Sequence, residues 1–374
     1  MADRFTLGLL IGPIVPLPVP KALIDSLESA QVTIASGQKS GFQLVFTTAK
    51  GSQILDTLLP AGYFDPPARV ILTVNINGSS TVVMDGVITR HELAPSNDPG
   101  QSKLTLTGED LTRMMDLIDL TGFPFPAMPA EARIMLMIAK YAPYGILPLV
   151  MPSVLLDFPN PLKQIPGQQG TDLAYINMLA EKVGYVFYID PGPLPGMNVA
   201  YWGPEIKVGP PQPALTVNGD GSSNVESLSF AFDSFAKTLW VVVIQEPTTR
   251  IPIPIPVPDV NPIQPPLGLR PPLPMQIKPI RGIANFSLLQ AAGIALAKAA
   301  QTADVISGQG SLDVLRYGRV LSARRLVGVR GAGLAYDGLW FVKSVTHSIK
   351  RGEYKQNFTL SRNAFIPFSQ EVPA

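Results

Sequence analysis

The sequence predicts a mainly β chain in which two antiparallel β units of comparable size flank a small α+β segment. Three observations carry this. At 339–360, LWFVKSVTHSIKRGEYKQNFTL, an aromatic and β-branched run leads through Lys350-Arg351-Gly352-Glu353 into a strictly alternating one. Tyr354, Gln356, Phe358 and Leu360 share one parity there, and Lys355, Asn357, Thr359 and Ser361 the other. Period-2 alternation marks a half-buried strand, and the Gly supplies the turn of a hairpin. Near the start, 70–76 and 81–89 flank Asn77-Gly78, the strongest short-range hairpin signal. Between these β-rich regions the period changes: Leu173, Ile176, Leu179 and Val183 make a helical stripe.

At 374 residues the chain is long enough for two or three domains. Charged residues make up 15% of it and the net charge is +1, against roughly 25% charged in ordinary soluble proteins. So little charge on a chain of positive mean hydropathy predicts a large surface hidden in an assembly. No acidic or nucleic-acid partner is implied. The apolar runs at 5–19 and 134–156 are interrupted by prolines, so neither predicts a membrane span. No small-residue cleavage site follows the first run, which argues against a secretory signal. Zero cysteines exclude disulfides, Fe–S clusters and thiol catalysis and fit synthesis in the cytoplasm.

In order, 1–20 reads as a Pro-punctuated extended arm and 23–47 as two strands around a turn at 37–41. The segment 52–59 reads as a short helix or turn, 103–107 as a strand, and 111–118 as a helix with acidic residues at its start. Pro129 opens a helix to 141. Thr171 caps another to 183, with Gly184 just past its end. Strands at 185–189 and 197–202 complete an α+β domain spanning 121–208. Strands resume at 225–232 and 238–244. The Pro-rich insertion 247–279, with IPIPIPVPDVNP at its heart, cannot sit in a central sheet and favours polyproline II. Such a stiff apolar strip suits a clamp against a neighbouring subunit or another assembly component. A helix at 287–306, capped by Ser287, precedes strands at 314–321 and 325–329. The domains expected are therefore 1–120, 121–208 and 209–374.

Chemistry is sparse. The two histidines, His91 and His347, lie in strands, and His347 shares parity with Val345 and Ile349; a hydrogen-bonded core or interface role is expected. No Cys and no paired His argue against a metal site. Gly328, Gly331 and Gly333 lie in a turn region, and no phosphate-binding fingerprint is present. Asn218-Gly219-Asp220-Gly221 lacks the downstream Glu of an EF-hand and reads as a turn. Asp85, Glu109 and Asp110 lie near strand ends without a paired-carboxylate spacing. Arg324-Arg325 and Lys350-Arg351 read as solvated basic pairs. We therefore expect no enzyme, no catalytic residues, no metal and no cofactor.

The segment 170–189, GTDLAYINMLAEKVGYVFYI, resembles the helix-then-strand motif of the phage late control protein D family. That family comprises baseplate hub proteins of contractile tails and the N-terminal half of VgrG spike proteins. Met84-Asp85-Gly86-Val87-Ile88, the stretch 336–349 (YDGLWFVKSVTHSI) and the closing strand 354–362 agree with it in order and spacing. The resemblance implies a homotrimer whose tail-tube-like barrels, two per chain, form a pseudo-six-fold ring. One face would meet the hexameric inner tube or its initiator protein, and the other a trimeric spike. VgrG proteins continue into a needle and this sequence stops at Ala374, so a separate spike polypeptide is expected, beside other baseplate proteins. The chain would be made in the cytoplasm and reside in a phage tail or injection-system particle, without a membrane span or nucleic-acid sequence recognition. A β-rich secreted binding or carbohydrate-active protein, with a site between its barrels, is the alternative.

Overall fold

The computed structural model describes residues 5–98, 100–153, 165–218, 223–245, 252–257, 264–280 and 288–368. The first β-rich region holds β1 (Phe5–Gly12), β2 (Leu17–Pro18), a short helix α1 (Lys21–Asp25), β3 (Leu27–Ala35), β4 (Gly41–Thr48), β5 (Arg69–Ile76), β6 (Ser79–Ala94) and β7 (Ser102–Asp110). The insert follows with α2 (Ala130–Ala139), β8 (Ile146–Val150), α3 (Asp172–Val183), β9 (Val186–Pro191) and β10 (Asn198–Gly203). The remainder holds β11 (Gln212–Thr216), β12 (Ser227–Phe232), β13 (Thr238–Gln245), β14 (Pro252–Pro256), β15 (Gln276–Pro279), α4 (Leu288–Gln301), β16 (Ile306–Asp313), α5 (Val314–Tyr317), β17 (Leu326–Arg330), β18 (Gly338–Lys350) and β19 (Glu353–Arg362).

The fold is mainly antiparallel β with an α+β insert, as the sequence predicts. Its two β units are, however, fused into one sheet, in the order β12-β16-β19-β18-β3-β4-β7-β6-β5-β1-β2, with β11 and β17 beside β18. Among the described residues the ladders leave this path open rather than closing two barrels. The reason is local: Ser344–Lys350 of β18 spends its second edge on β3, pairing His347 with Val32. A single apolar core lies under both units, including Leu44, Phe46 and Leu72 from one and Trp340, Val342 and Phe358 from the other.

The strand order repeats within the chain. β3-β4-β7-β6-β5-β1 in the first unit corresponds to β12-β16-β19-β18-β17-β11 in the second. Even the irregularities coincide. β6 bulges against β7 between Ile88 and Arg90, and β18 bulges against β19 between Val342 and Ser344. The units differ at the far edge, where β1 runs antiparallel to β5 but β11 parallel to β17.

Several expectations are corrected. The arm at 1–20 contains β1, which pairs along its whole length with β5. The predicted strand at 314–321 begins as α5, because Asp313 Oδ1 accepts from the Leu315 and Arg316 amides and caps a helical turn. The helix expected to reach 306 ends at Gln301, and Ile306–Asp313 is instead a strand between β12 and β19. The predicted cap Ser287 lies outside the described residues.

The Pro-rich run is only partly described: 247–251 and 258–263 lie outside. Its described core is an edge strand, β14, rather than polyproline II. The Val257 amide donates to the Trp240 carbonyl at 2.9 Å, so the backbone groups of Ile253 and Ile255, of the same parity, point to β13 as well. Pro252, Pro254 and Pro256 then fall where an N–H would point away from the sheet. Proline removes those donors, leaving an edge that another strand cannot extend.

One buried ion pair ties the first unit to the insert. The Arg69 guanidinium is bidentate on Asp85, Nε to Oδ1 at 2.8 Å and Nη2 to Oδ2 at 2.7 Å, and it also donates to the Ile14 and Tyr144 carbonyls. Asn198 Nδ2 on β10 donates to the same carboxylate at 2.8 Å. Gly86 beside it admits β7: a Cβ there would lie 2.2 Å from the Glu109 carbonyl oxygen. Removing one member of a buried pair leaves the other uncompensated, which costs about 3–5 kcal/mol. Asp85→Ala and Arg69→Met should each lose about that much in urea unfolding, and the double variant should lose clearly less than their sum. Additive losses would show that the pair is not the coupling unit.

Candidate functional site: strand edges and sheet faces

The residues with chemical potential are dispersed, and most of their polar atoms are bonded within the protein; His347 Nε2, Asp304 Oδ1 and the Nε atoms of Arg324 and Arg362 are buried without a hydrogen-bond partner. His347 is buried on β18, with Nδ1 2.7 Å from the Tyr354 hydroxyl and 3.3 Å from Gln356 Nε2. Gln356 in turn bridges both backbone groups of Leu321. His91 is half-buried, its Nε2 3.3 Å from Asp65. Asp85 is consumed by Arg69. Asp110 is the N-cap of the 3-10 turn Leu111–Asp116, accepting from the amide and hydroxyl of Thr112, and burial holds its carboxyl above the usual range. Glu109 pairs with exposed Lys39 at 3.4 Å. Among the described residues no group of three His, Asp or Glu side chains is placed to hold a metal ion. Gly328 and Gly331 shape β17 and its turn. The turn at 218–221 is described only at Asn218, whose amide donates to the Gly331 carbonyl.

The Arg324-Arg325 pair, read as solvated, is corrected at Arg324. Its side chain is 5% exposed, ion-paired with Asp190 on β9, and stacked 4.0 Å over the Tyr188 ring. It also donates to the Ala35 carbonyl at 2.7 Å. One guanidinium thus holds together the second unit, the insert and the β3–β4 turn. Sequence reasoning missed it because its partners are remote in the chain. Two further buried cations behave alike. Lys207 is 2.6 Å from Asp304, and Arg362 donates to the Leu267 and Asp337 carbonyls while lying 5.5 Å from the Trp340 ring centre. Burial lowers Arg362 to about 10.

What the structure presents outward is surface, not a catalytic cleft. Across β12, β16, β19, β18, β3, β4 and β7 the face opposite the core is a carpet of hydroxyl and amide groups. Ser227, Gln309, Asn357, Thr359, Thr346, Gln31, Gln43 and Thr107 lie on it. The hydroxyls bond across strands, Ser227 to Ser311 at 2.8 Å, Ser344 to Thr359 at 2.6 Å, and Thr346 to Thr33 at 3.1 Å. Among the described residues β12 pairs only with β16, and Arg90–Ala94 of β6 only with β7, so both of these edges are open. Exposed apolar side chains gather in the insertion at Leu269, Leu273, Met275 and Ile277. No helix among the described residues is long and apolar enough to cross a membrane.

His347 makes a pH prediction. Burial drives its pKa from 6.5 down to about 3, so the fold holds it neutral while the unfolded chain takes up a proton below pH 6.5. Its stabilising contribution is therefore complete above pH 6.5 and lost as pH falls toward about 3. Between pH 6.5 and about pH 4.5 the loss is roughly 2–3 kcal/mol. Urea midpoints across this window should fall less for His347→Gln than for the wild type. Parallel curves would contradict the buried neutral imidazole.

No protein-family model matches the chain, and no curated protein matches it. Solved structures do. A tail protein from Neisseria meningitidis MC58 matches at TM-score 0.62 and 13% identity, over 96% of this chain and 97% of that one. The 43 kDa tail protein of prophage MuSo2 from Shewanella oneidensis matches at 0.63 and 14%, over 96% and 100%. A chain of the Francisella PdpA–VgrG complex matches at 0.61 and 9%; all of this chain is covered, but only 60% of the other. The chain has the fold of these tail proteins and of a part of that VgrG complex.

Proposed function

We propose that the protein is a structural, non-enzymatic baseplate hub of a contractile phage tail or phage-derived injection system. Three copies join the hexameric inner tube to a trimeric spike carried on a separate chain, in contact with other baseplate proteins. In this reading 1–120 and 209–374 are the two tube-like units of each chain and 121–208 is the insert between them. The observation that carries it is the internal repeat. Two units with the same strand order, joined edge to edge, make one chain present two near-equivalent segments of a ring. Three chains then present six segments, which matches a three-fold spike to a six-fold tube. The polar face, rich in hydroxyl and amide groups and with Lys103 and Lys355 paired to Glu28 and Glu226, suits a lumen, since charges of both signs are interspersed on it. The dispersal of the titratable groups supports a role without catalysis.

The test is to tag the chain in its native host and purify tail or injection particles. The chain should co-purify at half the copy number of one tube ring, and label the junction of tube and spike in electron micrographs. Particles of normal structure that lack the chain would contradict the reading.

A further inference from the structure

Among the described residues the internal repeat contains one β18–β3 junction, and the equivalent edges of β6 and β12 carry no second strand. We infer that the open edge of β12 in one copy pairs antiparallel with the open edge of β6 in a neighbouring copy, with Leu93 opposite Phe230. This deepens the hub reading and rests on it, since it names the surface through which a second copy of this chain is held.

The register follows from the ladders. Within the chain, β18 pairs beyond its bulge with β3, His347 lying opposite Val32 and Thr346 opposite Thr33. Aligning the two bulges places Arg90 of β6 where Ser344 stands on β18, so Glu92 corresponds to Thr346 and Leu93 to His347. On the other side, Val32 connects through Phe42 to Gly108, which pairs with Ile88 just before the bulge. Phe230 connects through Gly308 to Leu360, which pairs with Val342 just before the bulge. Phe230 is thus the counterpart of Val32, and Ala231 that of Thr33. Leu93 therefore meets Phe230, and Glu92 meets Ala231.

In this register the side chains are complementary. His91 and Leu93, on the core side of β6, fall opposite Phe232 and Phe230, on the core side of β12. Leu93 and Phe232 are 37% and 43% exposed, and this pairing would cover both. Glu92 and Ala94 fall with Ala231 and Ser229 on the polar face, continuing its hydroxyl carpet. Arg90 comes opposite Asp233, opposite in charge. Pro95 ends the open stretch on β6, where an N–H is no longer available. A one-residue slip would turn each apolar side chain toward the polar face, so the register is strongly specified. The pairing also removes two bare edges, which are otherwise templates for aggregation.

The experiment exploits the absence of cysteine. Within the chain, the corresponding Thr33 and Thr346 hydroxyls are 3.1 Å apart, so cysteines at the counterpart positions are within disulfide reach. Full-length Glu92→Cys and Ala231→Cys variants are mixed, oxidised and run without reductant. The mixture should give a covalent dimer as its main species, and each variant alone almost none. The double variant should give a ladder ending at a closed trimer. Glu92→Cys with Ser227→Cys, displaced by roughly 13 Å along the strand, should not link. Equal linking by that control overturns the register. Trimers by sedimentation that fail to link overturn the edge pairing and leave the hub reading standing. A wild-type chain that remains monomeric at high concentration overturns both.

Discussion

The ladder between β3 and β18 is the constraint on which the architecture depends. Antiparallel pairing fixes direction, spacing and face at once, because a slip of one residue would turn Val32 and His347 away from the core. With that register set, the two units share one apolar interior and one polar face. Neither unit can then close on itself, since the edge of β18 that closure would use is already occupied. The open sheet follows from the junction rather than from any weakness in the strands.

The insert is held to this sheet by charge and hydrogen bonding as well as by the packing of Val87 into its apolar core. Arg69–Asp85–Asn198 fastens it to the first unit, and Arg324–Asp190 fastens it to the second. Guanidinium groups suit these posts, being always charged and able to satisfy several carbonyls in one plane. The Arg69–Asp85 pair, buried on both sides, adds little net stability over apolar packing, but breaking it leaves a charge uncompensated. Rigidity at the three-way contact keeps two β units at a fixed relation, which a repeated ring segment requires.

Much of this was legible in the sequence wherever pattern and local chemistry decide the outcome. The hairpin at 339–360, the Asn77-Gly78 turn, and α3 between Thr171 and Gly184 are specified by neighbours a few residues apart. Features decided by distant partners were not legible. β16 carries Ser, Gly and Gln in a weak strand pattern and is a strand because β12 and β19 flank it. Arg324 is indistinguishable from a surface arginine until Tyr188 and Asp190 are brought beneath it. The run at 252–256 defeats a rule of thumb for a physical reason: alternate prolines forbid a central strand but suit an edge one. The open edges of β6 and β12 are invisible in sequence, because an unpaired edge is a property of topology.

The central claim is that one chain supplies two equivalent segments of a ring. End-on electron micrographs of the purified assembly test it most directly. Three chains are expected, their sheets forming a ring with six-fold pseudo-symmetry and the inserts reducing the symmetry to three-fold. A ring whose symmetry at the level of the sheets equals its chain count, or an assembly with no ring, would contradict it.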